Sequence, residues 1–181
     1  MGKFQVADMT GKICLVTGAN SGIGFVTARE LARAGARVVM LCRSAERGEK
    51  AREDIVSATG SKSVELLLGD LSSLRSVETF AASFKERYEH VDVLVNNAGL
   101  SLPVRHLTDD GLEMMFAINH LGHFALTCHL SAALKAAPRA RVVNVASMGH
   151  WMGRMDTGNL QGEKSFNALA QYCNTKLANI L

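Results

Sequence analysis

A glycine-rich turn set directly between an apolar run and an amphipathic one leaves few folds open to this chain. Ile13 to Thr17 reads as a buried strand, and Gly22 to Ala34 as a helix with Gly35 as its stop. Between them runs Thr17-Gly18-Ala19-Asn20-Ser21-Gly22-Ile23-Gly24, with glycines at i, i+4 and i+6. Each glycine has its own task. Gly18 permits the tight turn, Gly22 lets the backbone approach a pyrophosphate, and Gly24 lets the helix pack close to the strand. The helix N-terminus then offers unpaired N–H groups to the anion. Gly18, Asn20, Ser21, Gly22, Ile23 and Gly24 are therefore expected to hold a dinucleotide.

The rest of the chain repeats the alternation. Strands are expected at Arg37 to Leu41, Val64 to Leu68, Val91 to Val95 and Arg141 to Ala146. Helices are expected from Glu46 to Ala58 and from Leu74 to Tyr88. Thr108 looks like an N-cap, with Asp109 and Asp110 beside the positive end of the dipole, for a long helix reaching about Ala137 before Pro138. Met148 to Glu163 is loop-like, and a last helix starts near Asn167. The strands are continuous apolar runs, as strands buried on both faces should be. The expected fold is α/β: one doubly wound Rossmann domain over 1–181, a parallel sheet of about five strands with helices on both faces. Asn174 to Leu181 is still helix-forming where the sequence stops, so the chain reads as truncated.

Composition narrows the function classes. The net charge is +3, too scattered for a nucleic-acid surface. Arg29, Arg33, Arg37, Arg47, Lys50 and Arg52 read as helical surface. Cys14, Cys42, Cys128 and Cys173 form no C-x-x-C pair and read as reduced, mostly buried thiols of a cytoplasmic protein. Met1 to Lys12 has no apolar leader, Val6 stands where a myristoylation signal wants Ser or Thr, and no apolar run is long enough to span a bilayer. His120, His123 and His129 share one helix without further ligands, so no metal is expected. Met114 and Met115 read as core fillers. Met148, Trp151 and Met152 either line a substrate entrance or pack the loop.

The end of the second strand selects the cofactor. An NAD site usually carries an acid there, and this chain reads Leu41-Cys42-Arg43-Ser44. Arg43 offers a cationic fork suited to a 2′-phosphate, so NADP(H) is preferred, with NAD(H) the alternative. Tyr172 and Lys176, at i and i+4, share a helical face. A cation beside a phenol favours the phenolate and suits the Tyr to general acid–base work. Ser147 follows strand five at its carboxyl end, where open α/β sheets bind ligands.

Taken together, these motifs resemble the short-chain dehydrogenase/reductase family: Thr17-Gly18-x-x-x-Gly22-x-Gly24, Asp70 and Leu71 in Leu-Gly-Asp-Leu, Asn96-Asn97-Ala98-Gly99, Asn119, Ser147 and Tyr172-x-x-x-Lys176. The likeness implies that Tyr172 exchanges a proton with the substrate oxygen. Lys176 would lower the Tyr pKa and hold the nicotinamide ribose, Ser147 orient the substrate, and Asn119 help a relay water. Asp70 and Leu71 would meet the adenine region, with Asn97, Ala98 and Gly99 lining the groove. Leu-Cys-Arg-Ser, Asn119-His120-Leu121-Gly122-His123-Phe124, Lys176-Leu177-Ala178-Asn179 and the 25-residue spacing from Ser147 to Tyr172 look like the retinol dehydrogenase-like branch. That branch implies NADP(H) and retinoids, lipid aldehydes or other apolar carbonyls. A homodimer through the long helix and the Tyr172 helix is also implied. Family members continue past the lysine helix into further strands that are missing here. A catalytically silent cofactor-binding fragment, or an interaction module, is the alternative expectation.

Overall fold

The strands stack in the order β3-β2-β1-β4-β5, all parallel. The computed structural model describes residues 7–181. The reading of Met1 to Val6 as free of a leader or lipid signal lies outside the described residues. The strands are β1 (Ile13–Thr17), β2 (Arg37–Cys42), β3 (Val64–Leu68), β4 (Val93–Asn96) and β5 (Arg141–Asn144). The helices are α1 (Gly22–Arg33), α2 (Ala45–Thr59), α3 (Leu74–Arg87), α4 (Met114–Phe116), α5 (Gly122–His129), α6 (Ser131–Ala136) and α7 (Ala168–Ala178). A π-helical turn, Ala117–Leu121, joins α4 to α5, and a 3₁₀ turn, Met148–Met152, follows β5.

Period-two alternation sorts the strand residues onto two faces. Leu15, Val39, Leu41, Leu67 and Leu94 pack with Val77, Phe80, Phe84, Leu126 and Leu130 of α3, α5 and the α5–α6 junction. Cys14, Val16, Val38, Met40 and Val95 pack instead with Ala28 and Ala32 of α1 and Ala51 and Ile55 of α2. Both faces are covered, as the doubly wound reading requires. β5 is the edge strand of the described sheet, with all four residues exposed. No helix among the described residues is long and apolar enough to cross a membrane.

The helix expected from Thr108 is corrected. Residues 108–112 form a tight turn: Thr108 N donates to the Leu112 carbonyl, the Thr108 hydroxyl accepts from Leu112 N, and Gly111 takes φ +74°. A positive φ is incompatible with a right-handed helix. Helix α4 begins only at Met114, where the Glu113 carboxylate accepts from the amides of Met115 and Phe116. Asp110 caps α3 instead, accepting from Leu74 N at 2.8 Å. The helical run also breaks at Leu130, and it ends at Ala137, which is held extended before Pro138.

Candidate active site

The sheet order reverses between β1 and β4, so the connections leaving their carboxyl ends run to opposite sides and leave a crevice. A cleft of about 700 Å³ lies there. Its lining includes Gly18, Asn20, Ser21, Gly22, Ile23, Arg43, Asp70, Leu71, Asn97, Ala98, Gly99, Ser147, Tyr172 and Lys176. The structure therefore brings to one cavity every expected site residue except two. Gly24 lies behind the turn, and Asn119 lies beneath the floor.

The glycine turn is shaped from below. Thr17 ends β1, and its carbonyl accepts from Asn97 Nδ2 at 2.9 Å, while Gly18 N donates to the Leu41 carbonyl. Gly18 has φ +64°, and a Cβ there would stand 2.9 Å from Ala98 Cα. At Gly24 a Cβ would stand 2.5 Å from the Gly18 carbonyl oxygen and against Asn97 Nδ2. Gly22, with φ +55°, has open space where its Cβ would be. Ser21 makes no side-chain cap, so the first-turn amides of α1 stay free for an anion. An open glycine backbone at an uncapped helix N-terminus fits a dinucleotide pyrophosphate.

The outer end of the cleft is polar. Arg43 Nη1 lies 3.9 Å from Asp70 Oδ2. The Asp70 turn is held in place: Oδ1 accepts from Ser72 N and Oγ, and Asp70 N donates to Ser76 Oγ.

At the inner end, Lys176 Nζ donates to the Val145 carbonyl at 3.2 Å and lies 5.8 Å from the centroid of the Tyr172 ring. Burial pushes the Lys176 ammonium below the ordinary lysine range. Ser147 Oγ accepts from Gly149 N at 3.1 Å, so its own proton is free for a ligand. The Asn119 side chain is buried and fully engaged. Its Oδ1 accepts from Leu100 N at 2.8 Å, and its Nδ2 donates to the Leu100 carbonyl and to Thr175 Oγ1. Asn119 is thus a clamp between the loop after β4 and α7. A Cβ on Gly99 would press at 3.3 Å on both Asn119 Oδ1 and Lys176 Nζ, so this corner admits only glycine without displacement.

Met148, Trp151 and Met152 do not pack the loop. They stand 84%, 80% and 62% exposed on the turn directly after Ser147. Among the described residues no group of three His, Cys, Asp or Glu is arranged to hold a metal. His120 contacts Asn179 and His123 contacts Thr17 instead. Met115 is fully buried, as a core filler should be. Residues that sequence patterns did not single out include Glu113 and Gln171, whose side chains bond at 2.9 Å and tie α4 to the helix of Tyr172.

The short chain dehydrogenase family matches residues 12–179. Human retinol dehydrogenase 11 is 47% identical over 177 residues, covering 98% of this chain and 56% of that protein. Human retinol dehydrogenase 13 is 44% identical over 176 residues, covering 97% and 53%. A Mycobacterium paratuberculosis crystal structure superposes with TM-score 0.83 at 40% identity, covering 97% of this chain and 61% of that one. A metagenomic short-chain oxidoreductase solved in complex with NADP gives TM-score 0.76 at 28% identity, covering 96% and 74%. The chain spans little more than half the length of the retinol dehydrogenases it matches.

Proposed function

The chain belongs to the short-chain dehydrogenase family, and on that footing we propose that it is an NADP(H)-dependent oxidoreductase interconverting an alcohol and a carbonyl on an apolar substrate. The observation behind this is a single cleft. It joins a glycine cradle and Arg43 at one end to Tyr172, Lys176 and Ser147 at the other. The bound nicotinamide supplies or accepts the hydride.

The chain's own groups do the rest. The α1 amides and Gly22 hold the pyrophosphate, and Arg43 meets the 2′-phosphate. Asp70 and Leu71 frame the adenine end, and Asn97 to Gly99 line the groove. Ser147 donates its free proton to the substrate oxygen and orients it. Tyr172 gives that oxygen a proton in reduction and takes one back in oxidation. Lys176 supplies the cation facing the phenolate that remains, and its ammonium reaches the nicotinamide ribose. Asn119 keeps Leu100 and Thr175 in place, and with them the loop and helix that flank the reaction.

The substrate class is supported by the relatives' names and by the apolar group at Met148, Trp151 and Met152 beside Ser147. The NADP(H) preference is supported by the missing acid after β2 and by a neighbour's NADP complex. A homodimer would cover the exposed Phe124 of α5 and Leu169 of α7. The proposed cytosol-like compartment is supported by four cysteines with no C-x-x-C pair, three of them buried.

The test is a fluorescence titration with NADPH, followed by absorbance at the reduced-nicotinamide band with a panel of apolar aldehydes including retinal. Saturable binding and loss of absorbance are expected. Absence of binding overturns the proposal. Binding without turnover of any aldehyde leaves a silent cofactor-binding protein.

A further inference from the structure

Thr17 is fully buried where β1 meets the glycine turn. Its Oγ1 accepts from the backbone N–H groups of Asn97 and Ala98, each at 2.9 Å. A hydroxyl oxygen has two lone pairs and one proton. Both acceptor positions are filled, so the hydroxyl must donate. Two acceptors are in range, His123 Nε2 at 2.8 Å and the Val95 carbonyl at 3.4 Å, and the shorter contact takes the proton. His123 Nε2 is therefore bare. The ring proton sits on Nδ1, facing the Asn119 carbonyl at 3.2 Å.

We propose that His123 is a positioning residue of this site: a neutral imidazole locked as the Nδ1–H tautomer, fastening the Thr17 hydroxyl beneath the cofactor cleft to the backbone of Asn119. This rests on the functional reading above. The consequence is geometric. Thr17 Oγ1 sets the amides of two residues that line the cleft, and Asn119 clamps the loop that follows them. His123 joins these two devices across the face between β1 and α5. The π-helical turn at Ala117–Leu121 ends two residues before it, and interruptions of this kind concentrate at functional sites. The ring is buried, and burial pushes it down to about 4. The hydrogen bond to the Asn119 carbonyl opposes that shift, and charge interaction with Lys176 and His120 adds to it.

Long-range proton–nitrogen NMR on the labelled protein reads the tautomer directly. The expected signature is a protonated Nδ1 and a bare Nε2, unchanged from about pH 5.5 to about 8, as befits a group titrating below that range. An Nε2–H tautomer, or a titration within that window, overturns the proposal. NADPH titration of two variants then tests the role. His123→Gln keeps an acceptor near the Nε2 position, so its affinity should stay within about threefold of wild type, the span of a hydrogen bond retained in altered geometry. His123→Asn keeps a donor for Asn119 but falls short of Thr17, and should bind NADPH roughly tenfold more weakly. Equal losses in both variants overturn the positioning role. Wild-type protein that shows the Nδ1–H tautomer yet binds no NADPH overturns the functional reading rather than the proton assignment.

Discussion

Removing the Arg43 guanidinium should erase the proposed preference for NADPH and leave affinity for NADH nearly unchanged. Arg43 directly follows β2, at the cleft end where an adenosine ribose would lie. Two unit charges 4 Å apart interact by about 1 kcal/mol in water and about 4 kcal/mol at the effective dielectric of a protein surface. The Arg43 side chain is 63% exposed and shares its charge with Asp70 at 3.9 Å, which places it near the lower figure. A hydrogen bond to a charged group adds to that, for a net of about 1–2 kcal/mol after screening. Arg43→Ala should therefore weaken NADPH binding about 5- to 30-fold. NADH, which lacks the phosphate, should change by less than about twofold on the same reasoning. Arg43→Asp should reverse the preference, because it adds a second carboxylate beside Asp70. Parallel fluorescence titrations with the two cofactors read the ratio. The wild-type advantage for NADPH should shrink between about 50 and about 500 mM salt, and the Arg43→Ala ratio should stay flat, since exposed charges are screened over that range. A ratio unchanged by either substitution would falsify the assignment of Arg43 to the phosphate.

Tyr172→Phe should lower kcat by roughly 10²- to 10⁴-fold, the usual contribution of a positioned acid–base group, while the NADPH dissociation constant stays near wild type; full activity in the variant removes Tyr172 from the chemistry. Gly24→Ala puts a Cβ 2.5 Å from the Gly18 carbonyl, so α1 must shift away from β1. Overpacking of this kind costs about 1–3 kcal/mol, a Tm lowered by roughly 2–12 °C, and an unchanged melting curve would mean the turn can relax freely. Acid should destabilise the fold through His123. Below its ordinary pKa of 6.5 the unfolded chain takes up a proton that the folded ring refuses until about pH 4. The neutral ring's contribution is complete above 6.5 and is lost as pH falls to about 4, up to about 3 kcal/mol in all. Urea midpoints measured across that window should fall more steeply for wild type than for His123→Gln; matching slopes would count against a buried neutral ring.

What could be read in the sequence was whatever a local pattern encodes. The strands of a doubly covered parallel sheet are unbroken apolar runs, so β1 to β5 were found with ends off by only one or two residues, as at Arg141–Asn144. Tyr172 and Lys176 were legible because one helix fixes their relation by itself. Thr108 misled because Thr-Asp-Asp imitates a helix start, yet the Asp110-Gly111 pair that follows is itself a turn signal, and the turn prevails: Gly111 goes left-handed and the cap falls to Glu113. The π-helical turn is silent in the sequence, since bonding one residue farther along needs no special side chain.

The rest of the site is held by contacts between distant parts of the chain. Asn119 meets Thr175, Glu113 meets Gln171, and Thr17 meets His123 across a separation of 106 residues. A sequence window sees each of these as an ordinary polar residue in a helix or strand, and three histidines on one helix invite a metal reading or a solvent one. The donor and acceptor count at a single hydroxyl chooses between those readings. Thr17 already accepts two amide protons, so its neighbour must be a bare imidazole nitrogen. That assigns His123 a proton position, a charge state and a partner that no spacing rule contains.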